Sequence, residues 1–363
     1  MKIDYKTYLY IIIGLIVFIY SCGDKFDIND LGTGNGNGNV KGDTLYVQIN
    51  PAWGGYNKPQ DVMVGREPFI YVADTDNDRV VLLNLDGQIL GTKSIKKPVA
   101  LAQDYRLNLF VCAQFDTTIN GIPQTYSAVY KLDLVSVNHQ IGNAPTKRIL
   151  PRAQDFAQPL REYTGACVFY DNSYFISRRG PNNSNNIDPD NSILIFVQRR
   201  LENGTTKDSL VGRVALLDPT GSGIMSANRI SSLTSYNSRN FNINLTLIGD
   251  NNFKFQPLDY IASPEFTGYQ IGLPPLSRDL MMPGIFSQPE GSALDNSGNF
   301  FIADAGKDTV YKFNSFGDRL QSISSFGKDS LSQPSGVAYF NKTVYVADTG
   351  NNRILRFILS TEL

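Results

Sequence analysis

The stretch Val344-Tyr345-Val346-Ala347-Asp348-Thr349-Gly350-Asn351-Asn352-Arg353-Ile354 joins a short apolar strand to a polar turn and to the first residue of a second strand. The same order of residue types occurs at 69–80 and at 300–310, and each copy follows a proline. Asp304 and Asp348 occupy the same place in two copies and lie 44 residues apart. A repeat of this length, made of short strands and turns, is typical of the blades of a β-propeller.

The aspartate that ends each of these strands has a structural explanation. An Asp side chain at the start of a turn can accept a hydrogen bond from a backbone amide two residues further on. We therefore expect Asp74, Asp304 and Asp348 to stabilise the turns that follow them.

The last copy resembles the NHL repeat, because Pro334-Ser335-Gly336-Val337-Ala338 precedes the stretch 344–354. This resemblance implies an all-β propeller with four-stranded antiparallel blades. Weaker copies occupy 97–132, with an insert around 121–123, and 164–197, with an Asn-rich insert at 181–191. The pattern decays after Pro219, where the candidate strands are 241–248, 253–262 and 268–273.

The length of the chain beyond residue 42 fits six blades, with seven as the alternative, since the inserts use up the excess residues. The last copy supplies only three strands before the chain ends. An isolated strand at 43–49 precedes the first copy. We expect this strand to complete the last blade, because ring closure removes an exposed sheet edge.

The first 42 residues carry an export signal and not a folded domain. Lys2 and Lys6 precede an apolar run at 9–20 that is too short to span a membrane. The run ends before Cys22 in a sequence that resembles a bacterial lipobox. The sequence therefore predicts a lipoprotein signal peptide at 1–21, a lipidated (palmitate-bearing) Cys22 with a Gly/Asn-rich tether at 22–42, and a propeller at 43–363. A short uncleaved membrane anchor is the alternative.

Composition excludes several classes of function. The 33 Lys and Arg residues against 34 Asp and Glu leave no basic surplus for nucleic acid. One histidine, His139, and three cysteines disfavour Ser-His-Asp chemistry, zinc sites and disulfide scaffolds. Cys112 and Cys167 fall inside apolar strands and are expected to be buried thiols, although a disulfide between them stays open.

The candidate site is the mouth of the central channel, where the chain enters each inner strand. The residues that the repeat places there are Gln60, Asp61, Thr164, Glu290 and Ser335. Gluconolactonase- and regucalcin-like propellers, which the repeat resembles, hold a divalent metal at this mouth. Here the only carboxylates are Asp61 and Glu290, and histidine is absent, so no confident metal or catalytic residue is assigned.

Two loops resemble calcium sites only weakly. The turn 74–78 lacks the glycine and glutamate that a calcium loop needs. The insert 181–191 supplies Asn182, Asn183, Asn185, Asn186, Asp188 and Asp190, which could bind Ca²⁺ but also suit a surface loop. Trp53 and Tyr56 could stack on a sugar, although an aromatic pair next to glycine is more often explained by packing.

The sequence thus predicts a lipid-anchored, extracytoplasmic propeller of a Gram-negative outer membrane, on its cell-surface or periplasmic face. Its expected role is that of a non-catalytic binding or scaffold subunit for an envelope protein complex or a glycan, without cofactor or nucleic acid. The alternative is a metal-dependent, lactonase-like hydrolase or lyase that uses Asp61 and Glu290.

Overall fold

The computed structural model describes residues 45–362 except 186, 203–205, 274–277 and 325–329. The predicted signal peptide, Cys22 and the tether lie outside the described residues. The described part of the chain forms six antiparallel sheets of four strands each, which confirms the six-bladed propeller. Within these residues no helix is long and apolar enough to span a membrane.

The strands follow one another blade by blade. The chain begins with β1 (Tyr46–Trp53), and blade 1 contains β2 (Pro59–Val64), β3 (Ile70–Asp74), β4 (Arg79–Leu83) and β5 (Ile89–Ser94). Blade 2 contains β6 (Ala100–Gln103), β7 (Asn108–Ile119), β8 (Ile122–Asp133) and β9 (Thr146–Leu150). Blade 3 contains β10 (Glu162–Val168), β11 (Tyr174–Arg179), β12 (Ser192–Arg200) and β13 (Thr206–Arg213).

The second half of the ring has the same order. Blade 4 contains β14 (Ile230–Ser235), β15 (Ile243–Leu247), β16 (Phe255–Ala262) and β17 (Thr267–Ile271). Blade 5 contains β18 (Pro289–Leu294), β19 (Phe300–Asp304), β20 (Thr309–Phe313) and β21 (Arg319–Ile323). Blade 6 contains β22 (Pro334–Phe340), β23 (Thr343–Asp348) and β24 (Arg353–Leu359), and β1 is its fourth strand.

The predicted closure of the ring is confirmed. β1 pairs antiparallel with β24, from Tyr46 opposite Leu359 to Trp53 opposite Ile354. The first strand of the chain therefore covers the edge that the last strand would otherwise expose. Gln321 of blade 5 reinforces this seam, because its amide both accepts from the Tyr46 backbone N–H at 2.8 Å and donates to the Tyr46 carbonyl at 3.0 Å.

Two details differ from the sequence-based expectation. The insert predicted around 121–123 is the tip of a long hairpin, since β7 and β8 pair continuously out to Ile119 opposite Ile122. The inner strand of blade 4, β14, was missed. Its sequence, Ile-Ser-Ser-Leu-Thr-Ser, has few of the apolar residues that identify a buried strand.

The core lies between neighbouring blades, where apolar side chains from facing sheets pack together. Trp53 and Tyr56 belong to the cluster between blades 6 and 1, which confirms the packing interpretation of this pair. Trp53 also covers Gly87 so closely that an added Cβ there would meet the indole ring. Cys112 and Cys167 are free, buried thiols in the neighbouring clusters and are not paired with each other.

The buried aspartates tie the blades to the loops that enter the inner strands. Asp74 accepts from the Asn57 N–H at 2.7 Å and from Arg79 Nε at 2.6 Å. Asp348 accepts from the Ser332 N–H at 2.7 Å and from Arg353 Nε at 2.7 Å. The main backbone partner thus lies in the loop before the inner strand, and not two residues further on as predicted.

Asp304 combines both kinds of contact. It accepts from the N–H groups of Ser287 and Gln288 at 2.8 and 2.7 Å, and from the Gly306 N–H at 3.2 Å. The last bond is the predicted turn contact, and it occurs in the blade that has Thr309 in place of the arginine. Each aspartate therefore fixes where the chain enters the channel.

The substitution Asp348→Ala tests this role. It removes the acceptor for the Ser332 N–H and leaves Arg353 beside an apolar side chain, so we expect the free energy of unfolding to fall by about 3 kcal/mol. Urea denaturation measures the change. Asp86→Ala, in an exposed turn, is the control and should change stability by less than about 0.5 kcal/mol. Equal effects of the two substitutions would contradict the role assigned to Asp348.

Candidate functional site: the central channel

The six inner strands form the wall of a central channel. They contact one another in the cyclic order β2, β6, β10, β14, β18, β22 and back to β2. Each is the terminal strand of its sheet, so its second edge faces the lumen. The channel encloses about 450 Å³. We call the end where the chain enters these strands the upper face, and the end where it leaves them the lower face.

A β-bulge marks the entry of five inner strands. In blade 1, for example, Pro59 pairs with Asp74 and Asp61 with Ala73, so that Gln60 is the extra residue. The bulged residues around the ring are Gln60, Thr164, Ser231, Glu290, and Ser335 with Gly336. A bulge locally re-aims a side chain, and here it turns the residue toward the mouth or toward the next blade. Four predicted candidates therefore share one geometric origin, and Ser231 is the equivalent position that the sequence analysis missed.

Three of these bulged side chains are used by the ring itself. The Thr164 hydroxyl donates to the Ile230 carbonyl at 2.7 Å, and the Ser231 hydroxyl donates to the Pro289 carbonyl at 2.6 Å. The Ser335 hydroxyl donates to the Gln60 carbonyl at 2.7 Å. In each case the bond joins one inner strand to the inner strand of the next blade. These hydroxyls stabilise the wall of the channel.

The glycine after the bulge permits this close approach. A Cβ at Gly291 would lie 2.3 Å from the Ser335 carbonyl oxygen, and a Cβ at Gly336 would lie 2.6 Å from the Asp61 Cα. No side chain fits in that space without moving backbone. The "Pro-x-Gly" of the repeat is thus a consequence of how closely the inner strands pack.

Asp61 occupies this second position, where blades 3, 5 and 6 have glycine. Its Oδ2 accepts from the Leu101 N–H of blade 2 at 2.7 Å. Burial in the wall raises the pKa of Asp61 to about 7, against the opposing effect of the hydrogen bonds from the Leu101 and Val62 amides. Near neutral pH a substantial fraction of this carboxyl is therefore protonated.

Glu290 occupies the bulge itself, so it is not the structural equivalent of Asp61. Its Oε1 accepts from Gln288 Nε2 at 2.6 Å. Burial raises the pKa of Glu290, while the Gln288 hydrogen bond and the charges of Arg179 and Arg229 oppose the shift. Asp61 points toward the next blade, whereas Glu290 bonds back to its own entry loop.

The donor set does not resemble that of a divalent-metal site. No group of three or more His, Cys, Asp or Glu side chains comes together in the described residues. His139 does not line the channel: its Nδ1 lies 3.4 Å from Glu67 Oε1 and its ring is beside Phe69, away from the upper mouth that holds Asp61 and Glu290. The described residues of the channel mouth therefore do not supply the ligand set that a divalent metal needs.

The Asn-rich insert is organised by arginines. Arg161, on the loop before β10, contacts Asp155, Asp188 and Asp190 at 3.2, 2.8 and 2.7 Å. Arg178 adds a second guanidinium on Asp188 at 2.6 Å. Burial raises the pKa of Asp188, but the hydrogen bonds and charges of Arg178 and Arg161 outweigh this effect and hold it below its usual range.

The two aspartates that the sequence offered as calcium ligands are thus already neutralised by guanidinium groups. Asn182 and Asn183 position the same loop, because the Asn182 N–H donates to Asp190 Oδ2 at 2.8 Å and Asn183 Oδ1 accepts from the Asn191 N–H at 2.7 Å. Asn186 lies outside the described residues. Arg161 was missed by the sequence analysis, since no local pattern links it to an insert more than twenty residues away.

The pH dependence of stability tests the environment of Asp61. Because the folded protein binds this proton more tightly than the unfolded chain, the protonated carboxyl stabilises the fold fully below pH 3.8, and this contribution is lost as the pH rises through about 7. Asp61→Asn cannot ionise and can still accept from Leu101. We expect the variant to gain about 2 kcal/mol relative to the wild type between pH 5 and pH 8.

Denaturant unfolding at the two pH values measures this difference. Asp86→Asn, which alters an exposed carboxyl, is the matched control and should follow the wild type at both. A stability difference for Asp61→Asn that does not change with pH would show that Asp61 is solvated and not buried in the wall.

Comparison with known proteins supports the fold. The NHL repeat family matches residues 331–357, which confirms the resemblance of the last repeat. No curated protein matches the chain significantly. Among solved structures, a protein of unknown function from Bacteroides thetaiotaomicron has 14% identity and a TM-score of 0.55, over 87% of this chain and 72% of that chain.

Two further structures have described roles of their own. An auxiliary nutrient binding protein from Bacteroides thetaiotaomicron has 10% identity and a TM-score of 0.55, over 84% of this chain and 69% of that chain. A gluconolactonase from Xanthomonas campestris has 12% identity and a TM-score of 0.53, over 88% of this chain and 99% of that chain. At such identities the similarity shows the fold alone. The chain is therefore a six-bladed β-propeller that carries an NHL repeat in its last blade.

Proposed function

We propose that this protein is a non-catalytic binding subunit that holds an envelope protein on its upper face. It is extracytoplasmic and is anchored in the outer membrane through lipidated Cys22. The observation that carries the proposal is the set of long upper loops of blades 2 to 4. The loop 180–191 within blade 3 has twelve residues, whereas the corresponding turns of blades 1, 5 and 6 have four. The loops 151–161 and 214–229, which enter blades 3 and 4, have eleven and sixteen residues, whereas the loop into blade 2 has five.

The buried charge network argues that these loops have a role beyond closing the ring. Arg178 and Asp190 are each only 1% exposed, and Asp155 is 3% exposed. Taking such charges out of water costs several kcal/mol per ion unless partners compensate, and the blades themselves do not need them. What the network provides is a fixed shape for two loops, and a pre-organised surface loses less entropy on binding.

Exposed apolar side chains stand on these ordered loops. Leu160 is 69% exposed and Ile187 is 87% exposed. Each of them is the chain neighbour of one member of the Arg161–Asp188 ion pair, whose Nη2 and Oδ2 atoms are 2.8 Å apart. Rigid apolar side chains of this kind are the ones that fill pockets on a partner protein.

The remaining support comes from the channel and from the comparisons. The hydroxyls of Thr164, Ser231 and Ser335 are engaged between blades, so the mouth offers few groups for chemistry. One propeller of similar structure is an auxiliary nutrient binding protein, which is consistent with a binding role for this fold. The near-zero net charge suits recognition by shape and hydrogen bonding.

Purification through a tag on the full chain in mild detergent tests the proposal. We expect a stoichiometric envelope partner with the wild type, and its loss from the double variant Leu160→Asp, Ile187→Asp, because the charges would have to be desolvated at the interface. Leu320→Asp, on the outer strand of blade 5, is the control and should retain the partner. Quantitative mass spectrometry measures the ratio. Recovery of the wild type alone, or of the partner with the double variant, would overturn the binding role.

The same preparation tests the anchor. Cys22→Ala removes the acylated thiol, so we expect this variant to fractionate away from membranes while it keeps the upper surface intact. A Cys22→Ala protein that stays in the membrane fraction would contradict lipid anchoring without affecting the binding role.

A hydrolase remains the second candidate, because Asp61 and Glu290 both line the channel and both have raised pKa values. A carboxyl with a pKa of about 7 suits general acid–base catalysis. Hydrolysis of aldonolactones by the wild type, with and without added Ca²⁺, is the direct assay. Catalysis that falls at least a hundredfold in Glu290→Gln would favour the hydrolase, and a rate equal to buffer in all samples would reject it.

A further inference from the structure

Arg66 crosses the lower mouth of the channel. It lies in the turn between β2 and β3 of blade 1, and its Nη1 reaches Asn237 Oδ1 at 3.5 Å. Asn237 lies in the turn between β14 and β15 of blade 4, which is opposite blade 1 in a ring of six. Both residues line the channel. Arg66 and Asn237 therefore bridge the lower mouth, and a ligand that binds on this face would contact Arg66.

The guanidinium plane of Arg66 is held in one orientation. It stacks on the Tyr105 ring of blade 2, with Cζ at 3.3 Å from the ring centroid. The Arg66 N–H donates to Gln103 Oε1 at 2.7 Å, and Nε donates to the Gln103 carbonyl at 3.4 Å. Gln103 is itself fixed by Glu67 Oε1, at 2.8 Å from Gln103 Nε2. A planar fork held in this way is suited to bidentate binding of a carboxylate.

The guanidinium of Arg66 forms no ion pair of its own. Arg66 and Arg239 are both exposed, and Arg239 is only two residues from Asn237 on the opposite side of the mouth. Neither arginine takes part in an ion pair within the described part of the chain. The carboxylate next to Arg66 in the chain, that of Glu67, is engaged elsewhere, because its Oε1 accepts from Gln103 Nε2 at 2.8 Å and from the Tyr71 hydroxyl at 2.9 Å. Arg66 and Arg239 are thus available to an anionic ligand at the lower mouth.

Aromatic rings stand beside the cations. Tyr105 keeps 41% of its surface exposed although Arg66 covers one face, and Tyr170 of blade 3 is 40% exposed. The turns that carry them are joined, because the Tyr105 N–H donates to Asn172 Oδ1 at 2.9 Å. Phe241 supports Tyr170 from blade 4, with ring centroids 5.3 Å apart. Rigid, half-exposed tyrosines bind the apolar faces of ring-shaped ligands.

We propose that the lower mouth is a binding site for an acidic saccharide. The carboxylate of a uronic acid residue pairs with Arg66 and is attracted by Arg239, while a sugar ring stacks on Tyr105 or Tyr170. Asn237 Oδ1 accepts a hydroxyl of the same sugar. A neutral glycan would not pair with the arginines, and a small inorganic anion would not stack on the tyrosines. The site is on the face opposite to the loops of the proposed protein-binding surface and does not depend on that function.

Calorimetric titration of the wild-type protein with hexagalacturonate tests the proposal, and the methyl-esterified hexamer is the matched neutral ligand. We expect binding of the acid and at least a tenfold weaker affinity for the ester, because esterification removes the charge. Arg66→Ala should lower the affinity for the acid at least tenfold. Arg66→Lys should recover only part of it, since an ammonium group keeps the charge but neither stacks nor binds bidentately.

Arg106→Ala is the control variant, because Arg106 is an exposed arginine in the turn of Tyr105 whose guanidinium is directed to another blade, where it donates to Gln198 Oε1 of β12 at 3.0 Å. Arg106→Ala should bind hexagalacturonate as the wild type does. Tyr170→Ala should weaken the binding of both the acid and the ester. Unchanged unfolding midpoints confirm that each variant is folded. Equal affinities for acid and ester, equal loss in Arg106→Ala and Arg66→Ala, or no binding by the wild type at millimolar concentration would each overturn the proposal.

Discussion

Blades 1, 5 and 6 are each held by a buried carboxylate that ends the second strand of the blade and binds the loop leading into the first. Asp74, Asp304 and Asp348 are each fully buried, and each accepts from one or two backbone amides of that loop. The bond couples two points of the chain that are about sixteen residues apart. Because it holds the entry of the inner strand, it also sets the position of the residues that these three blades place at the upper mouth of the channel.

The bulges that follow these entry points explain why most of the candidate residues are structural. Turned by the bulge, Thr164, Ser231 and Ser335 each place a hydroxyl on a carbonyl of the next blade. The glycine beside the bulge lets the two strands come close enough for that bond. Where blade 1 has Asp61 in place of the glycine, the side chain is forced into the wall, and its proton affinity rises in consequence. One local irregularity thus stabilises the ring and accounts for the position of the two channel carboxyls with raised pKa values, Asp61 and Glu290.

The two faces of the ring differ in chemistry, and we have proposed a separate binding role for each. The upper face of blades 2 to 4 has loops fixed by Arg161 and Arg178 and carries exposed apolar residues. The lower mouth has a guanidinium that is fixed on an aromatic ring and forms no ion pair, beside a Glu67 carboxylate that is held by Gln103 and Tyr71. Each blade packs on two others, so the ring holds both surfaces in place. The same scaffold can therefore present two chemically different surfaces, one above and one below.

Local sequence patterns were sufficient to predict the blade, its strands and the closure of the ring. The strand–Ala-Asp–turn–strand unit at 344–354 specified the blade, and the alternating strand near residue 46 specified the closure, because β propensity and turn chemistry act between close neighbours. β14 was not predicted, because Ser231 in it bonds to a neighbouring blade instead of contributing to an apolar pattern. A short window of sequence does not show such long-range contacts.

Which side chains meet could be seen only in the folded ring. Arg66 and Asn237 are 171 residues apart in the chain and face each other only because six blades close into a ring. Asp61 and Glu290 looked equivalent in the sequence, yet one lies after a bulge and the other within it. Charge pairing and burial depend on such long-range geometry. A repeat pattern predicts where each strand begins, but it does not predict which residues of the opposite blade face that strand across the channel.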